Sequence, residues 1–254
     1  WSSTFGLSHN KNTIKHLYYR YEDVLNEAGE VVGSKEVDDV NRGWFVGKDI
    51  SAIWDHEFIG IWQEDEAEEA AKYGQQPGDA KVRDVNGDYK ITQEDKVFLG
   101  QETPKFRWSF RNEFTLFRNW DISLNLYSQM GHKQSTTEYL NFFDNLGDYS
   151  NTYKREYWTP ENKSNSYARL KSTRPSNINP KKVINKGFIR LENISVSYRV
   201  PQQFARKLMA KEISIYGTVR NVAVWAFDKE WDYWDPETKG LLPRTFTFGA
   251  SITF

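Results

Sequence analysis

Along much of this chain apolar and polar residues alternate with period two, the spacing by which a strand sends successive side chains to opposite faces. In residues 244–254, Phe246, Phe248, Ala250, Ile252 and Phe254 share one face, while Thr245, Thr247, Gly249, Ser251 and Thr253 share the other. Residues 1–9 repeat the pattern, with Trp1, Ser3, Phe5 and Leu7 set against Ser2, Thr4, Gly6 and Ser8. In 104–117 the apolar set is Phe106, Trp108, Phe110, Phe114 and Leu116, and the polar set Arg107, Ser109, Arg111, Glu113 and Thr115. After a tight turn at Arg118-Asn119, residues 120–131 set Trp120, Ile122, Leu124 and Leu126 against Asp121, Ser123, Asn125 and Tyr127, which predicts a long hairpin. In 187–200 the phase slips between Leu191 and Ile194, predicting a bulge near Glu192-Asn193, and Pro201 ends the strand. Residues 212–225 carry Ile213, Ile215, Gly217, Val219 and Ala223 on one face and Ser214, Tyr216, Thr218 and Arg220 on the other.

Six such strands predict an all-β chain. Half-buried strands of a soluble domain give the same alternation, but each stretch also has the roughly 9 to 11 residues that a tilted strand needs to cross a bilayer. The connections separate the two cases. Residues 10–103, 132–186 and 226–243 (the last carrying Trp231, Tyr233 and Trp234) are long, whereas Arg118-Asn119 and 202–211 are short. Long loops at one end and tight turns at the other are the asymmetry of an outer-membrane barrel. No apolar run approaches the length of a transmembrane helix, and the mean hydropathy of −0.76 is compatible with a barrel wall, where only alternate residues meet lipid. Aromatics at 16 %, including 10 Trp and 14 Tyr, suit interfacial girdles or a sugar-stacking surface. Six strands fall short of the roughly eight of the smallest usual barrels. The chain is therefore expected to be part of a larger barrel, and alternation from its first residue points the same way. The alternative is a secreted, calcium-clasped, carbohydrate-binding β-sandwich.

Charge and candidate chemistry narrow the function further. The net charge is −1, which leaves no footprint for nucleic acid. Without Cys there is no disulfide or thiolate metal site, and His9, His16, His56 and His132 form no ligand or triad spacing, so the chain is not read as an enzyme. Within 10–103, the stretch Trp44 to Trp62 predicts a small core, and Gln63 to Tyr73 predicts an acidic helix ended by Gly74. Residues 84–95, Asp-Val-Asn-Gly-Asp-Tyr-Lys-Ile-Thr-Gln-Glu-Asp, place oxygens where a calcium loop needs them. Asp84, Asn86, Asp88 and Asp95 would offer side chains and Lys90 its carbonyl, to a structural calcium ion. Tyr89 stands where such loops take Gly, and Asp95 where they take Glu.

Several blocks together resemble a known family. They are Pro77-Gly78-Asp79 leading into 84–95; Gly100 with Pro104-Lys105-Phe106; Tyr157-Trp158-Thr159-Pro160-Glu161-Asn162; Phe188-Ile189-Arg190-Leu191 into Ser197-Tyr198 and Pro201; Gly217 with Arg220-Asn221; Asp235-Pro236-Glu237; and Arg244-Thr245-Phe246 to Phe254. In order and spacing they resemble the C-terminal barrel portion of the SusC/RagA family of TonB-dependent outer-membrane transporters. That resemblance implies a transmembrane antiparallel barrel of 22 strands with long extracellular loops, and a plug domain that would precede Trp1. It implies import of oligosaccharides or oligopeptides across the bacterial outer membrane. The implied partners are a SusD-like surface lipoprotein, TonB, reached through the N-terminal portion, and outer-membrane lipid. The family leaves the cargo open between glycan and peptide, and assigns no substrate-contacting residue here.

Overall fold

A computed structural model describes residues 1–136, 156–231 and 234–254. In chain order the strands are β1 (Ser2–His9), β2 (Tyr21–Leu25), β3 (Val31–Glu36), β4 (Ala52–His56), β5 (Phe58–Ile61), β6 (Ala80–Val82) and β7 (Lys96–Gln101). They continue as β8 (Phe106–Leu116), β9 (Trp120–Met130), β10 (Lys133–Thr136), β11 (Lys182–Asn185), β12 (Phe188–Arg199), β13 (Glu212–Ala226) and β14 (Thr245–Thr253). Two short helices, α1 (Ala67–Lys72) and α2 (Gln202–Lys207), complete the set. The chain divides into two units, one of 1–11, 103–132 and 185–254, the other of 12–102 and 133–184.

In the first unit the six alternating stretches form one antiparallel sheet in the order β1-β8-β9-β12-β13-β14. The register keeps like with like. Phe5 faces Phe110, Phe110 faces Leu126, Leu126 faces Leu191 and Leu191 faces Ala223, so one apolar row crosses five strands. On the other face Thr4, Arg111, Asn125, Asn193 and Arg220 make a polar row. The predicted bulge is present: the register of β12 shifts between Leu191 and Asn193 against both neighbours, which is how each half of the strand keeps its apolar residues on one face. The β8–β9 turn uses Phe117 (φ 51°) and Arg118 (φ 67°), the left-handed pair that matches the twist of the flanking strands.

Apolar side chains of this sheet remain bare. Phe5 is 62 % exposed, Phe246 60 % and Phe248 81 %, far more than a face packed on a soluble core retains. Two details escape simple alternation. Asn112 lies in the apolar row of β8, yet it is buried and its Oδ1 accepts bonds from Trp1 Nε1 (3.2 Å) and from the Ser3 hydroxyl. The 202–211 connection, expected as a plain turn, contains α2, whose Ala205 packs with Ala210, Ile213 and Val200. The three long connections leave the sheet by one edge and the two short ones by the other, since successive strands are antiparallel.

The second unit gathers most of the two long connections, residues 12–102 and 133–184, expected as separate loops, into one body. Part of the second, residues 137–155, lies outside the described residues. Its core includes Ile53, Ile61, Trp62, Ala70, Val82, Trp158 and Ala168. The predicted acidic helix is shorter than expected, a 3-10 turn at Glu64–Glu66 followed by α1. Asp79, fully buried, pins distant segments: its carboxylate accepts from Gln76 N (3.0 Å), Arg169 Nε (2.8 Å) and Thr173 N (2.8 Å). Trp158 Nε1 donates to Gln63 Oε1 at 3.0 Å, and the Trp158 ring lies against Gly78, so the blocks around 77–79 and 157–162 meet in one place.

Candidate functional site

Two places carry assembled polar chemistry, one in each unit. The first is on the polar face of the sheet, toward the edge from which the long connections leave. Arg190 of β12 pairs directly with Tyr127 of β9, and Gln129 lies two residues further along the same face. The segment 235–240 folds onto these three residues. Its turn is closed by Asp235, whose Oδ1 accepts Glu237 N (3.0 Å) and Thr238 N (3.1 Å), as an Asp at a turn start commonly does. Asp235 Oδ2 meets Arg190 Nη2 at 2.6 Å, with 3 % of the Arg and 5 % of the Asp side chain exposed. Glu237 bonds the Tyr127 hydroxyl (2.6 Å) and the Gln129 amide (2.9 Å) and stands 3.4 Å from Arg190.

This contact holds the 235–240 segment on the polar face of the sheet through a buried ion pair. Sequence reading named Asp235-Pro236-Glu237 and Arg190 only as blocks of a resemblance and assigned them no role. The available signal was an Arg on the polar parity of a strand expected to sit in a wall, since a charge there needs a partner. Tyr233, named with Trp231 and Trp234 in the same connection, lies outside the described residues. Further along the polar face a groove of about 430 Å³ is lined by Thr4, Ser109, Arg111, Asn125, Glu192 and Arg220 among others. Just past the end of β9, His132 is buried, and burial with Lys186 and Arg107 nearby holds its pKa down at about 4, so it is neutral at physiological pH.

The second place is the 84–95 loop. Its first half is wound on its own side chains: Asp84 accepts from Gly87 N (2.7 Å) and Tyr89 N (2.9 Å), Asn86 from Asp88 N (3.0 Å), and Asp88 from Lys90 N (2.8 Å). Tyr89, at the usual Gly position, takes the left-handed conformation that position requires (φ 61°). The closing residue behaves differently. Asp95 is fully buried and its oxygens accept Val85 N (2.8 Å) and Thr92 N (2.7 Å), capping the 3-10 turn at Gln93–Asp95. Burial raises its pKa, but the Thr92 and Val85 N–H groups more than offset that and the carboxyl is lowered overall. Asp84, Asn86 and Asp88 line the loop and the Lys90 carbonyl follows them, while bidentate ligation by Asp95 would break its cap. Among the described residues no three His, Cys, Asp or Glu side chains are grouped to hold an ion.

The fold and the two-faced sheet define a class: an antiparallel six-stranded sheet with one bare apolar face and one polar face, and long connections at one end of its strands. No protein-family model matches the chain. TonB-dependent receptor P26 of Formosa agariphila is 26 % identical over 275 residues, an alignment spanning 100 % of this chain and 27 % of the receptor. TonB-dependent receptor P3 of the same organism is 22 % identical over 273 residues, again 100 % of this chain and 27 % of the receptor. The chain thus spans about a quarter of the length of the curated relatives it matches. Among solved structures, the RagAB peptide importer in its open-open state aligns with TM-score 0.58 and 14 % identity, over 99 % of this chain and 26 % of that one. The RagAB peptide transporter aligns with TM-score 0.60 and 14 % identity, over 99 % and 27 %. The resemblance read from the sequence blocks is borne out: the chain is similar to part of a TonB-dependent transporter. These relatives are receptors and importers, not enzymes.

Proposed function

We propose that this chain is the C-terminal wall portion of a TonB-dependent importer of the bacterial outer membrane, within a barrel of 22 strands, working with a SusD-like surface lipoprotein. The observation that carries the reading is the bare apolar face of the β1-β8-β9-β12-β13-β14 sheet opposite a polar one. A β-sandwich would need a second sheet over that face, where Phe5, Phe246 and Phe248 are instead 62 %, 60 % and 81 % exposed. The cargo is an oligosaccharide or oligopeptide moving along the polar face, with residues 10–103, 132–186 and 226–243 on the extracellular side. The names of the relatives and the fold of the peptide importer support this reading. The 84–95 loop holds a structural calcium ion through Asp84, Asn86, Asp88 and the Lys90 carbonyl, with Asp95 joining once released from its cap; a calcium-dependent rise in the protease resistance of residues 64–103 tests that. Fractionation and uptake test the function. The full-length protein should sediment with outer membranes, and cells should take up labelled oligosaccharide or oligopeptide in a TonB-dependent way. Recovery in a detergent-free soluble fraction would overturn the proposal.

A further inference from the structure

The two carboxylates that the 235–240 turn lays on the polar face are held unequally. Asp235 is built in, because its pairing with Arg190 is buried on both sides and its second oxygen closes its own turn. Glu237 is laid on: its side chain keeps 33 % of its exposure, and it lies at 3.4 Å from a guanidinium whose charge Asp235 already balances at 2.6 Å. What holds Glu237 is a pair of neutral donors, the Tyr127 hydroxyl at 2.6 Å and the Gln129 amide at 2.9 Å.

The donors exceed what the loop uses. Arg190 is only 2 % exposed, yet its Nε–H is buried with no acceptor among the described residues, an unmade bond worth roughly 1 to 3 kcal/mol. Arg107 stands directly opposite Gln129 in the β8–β9 register and extends the same polar row. With Glu237 in place, the one Arg190 guanidinium meets two carboxylates, at 2.6 Å and 3.4 Å. If Glu237 swings out, the Tyr127 hydroxyl and the Gln129 amide lose their acceptor beside the Arg190 guanidinium, with Arg107 across from Gln129 on the next strand. That donor set suits one further carboxylate, since charge-assisted bonds are stronger than neutral ones.

We propose that Tyr127, Gln129 and Arg190, with Arg107 beside them, form a carboxylate-binding subsite on the polar face, which Glu237 fills from within and a carboxylate of the cargo takes over. Naming cargo as the occupant rests on the importer reading; the site itself does not. The shared chemistry is a carboxylate, from an acidic peptide or from a uronic-acid glycan. Glu237 is then an internal competitor. If it is displaced in about 1 to 10 % of molecules, the apparent affinity for a carboxylate is reduced by that fraction, and removing Glu237 raises it roughly ten- to a hundredfold.

The test uses the purified full-length protein in detergent. Backbone hydrogen exchange across 234–241 is followed while sodium acetate replaces sodium chloride at constant ionic strength. Acetate should raise exchange there saturably, as Glu237 is displaced. Calorimetry with triglutamate and trigalacturonate then reads the source of the carboxylate. At least one should bind Glu237→Ala and Glu237→Gln tenfold or more tighter than wild type, and Arg107→Gln should weaken it. Exchange indifferent to acetate, or acidic trimers binding Glu237→Ala no tighter than wild type, would overturn the site. Fractionation keeps the two readings apart. An outer-membrane protein indifferent to acetate loses only the subsite, whereas an acetate-responsive protein found outside that membrane loses only the importer function.

Discussion

Replacing Leu124 by Arg probes the membrane-facing reading where the sheet makes its clearest claim. Leu124 lies on the apolar face of β9, between Asn112 of β8 and Ile194 of β12. From Trp120 to Met130 the strand covers ten residue steps, which at ~3.4 Å per step and ~40° of tilt gives a height of about 26 Å, matching the ~25 Å apolar band of outer-membrane barrels. Leu124 is four steps along, about 10 Å up that band, close to its middle. An Arg there costs roughly 2 to 4 kcal/mol, or about 30- to 700-fold in the insertion equilibrium. Asn125 is one residue away on the opposite face, across from Arg111 and Asn193, and donates to Glu192 at 2.7 Å. Asn125→Arg should therefore cost well under half as much. The assay is urea-dependent folding of the full-length protein into liposomes, read by the heat-sensitive migration of folded barrels. Equal losses at the two positions would refute the assignment of one face to lipid, because only a one-sided apolar solvent separates neighbours on one strand.

Other expectations follow from the remaining contacts. Asp235→Ala leaves the buried Arg190 charge unpaired, a change that typically costs 3 to 5 kcal/mol, so hydrogen exchange across 234–240 should accelerate. Asp235→Leu combined with Arg190→Met should lose less; a double variant as loose as Asp235→Ala would contradict the pairing. Gly249→Ala would drive a methyl into the outer end of the Tyr216 ring, which lies across from it on β13 and can shift, and should weaken the pairing of β14 by no more than about 1 kcal/mol, restored by Tyr216→Ala, as folding titrations would show. In the second unit, burial raises the Asp55 pKa but bonds from His56 and Lys181 lower it further, and Asp95 is likewise lowered, both from 3.8. A lowered carboxyl contributes stability that is whole above the unfolded value and is lost as pH falls through the folded one, so proteolysis of 12–102 should increase below about pH 4. Asp55→Asn should flatten that profile, and an unchanged profile would exclude Asp55 as a cause.

The sequence by itself determined the strands of the sheet and their two faces. Alternation is a local property, and a one-residue slip would turn every side chain over, so the positions of Phe110, Leu126 and Phe248 fix both the strand and its sidedness. Even the Glu192-Asn193 bulge was legible, because the phase of the alternation changes there. Asn112 was not, since the Trp1 and Ser3 donors that let it sit in an apolar row come from another strand. Tertiary structure alone decided which distant segments meet. Asp79 is an ordinary loop acid in sequence, and only the fold brings Arg169 and Thr173 to its carboxylate. The 84–95 spacing offered Asp95 to a calcium ion and gave no sign that it would turn inward to Val85 and Thr92, a choice between backbone N–H groups and solvent that burial made. The pairing of Arg190 with Asp235, and the lighter hold on Glu237, depend on where a long connection lands on the sheet. No local pattern encodes that landing, because it joins side chains 45 residues apart in the chain.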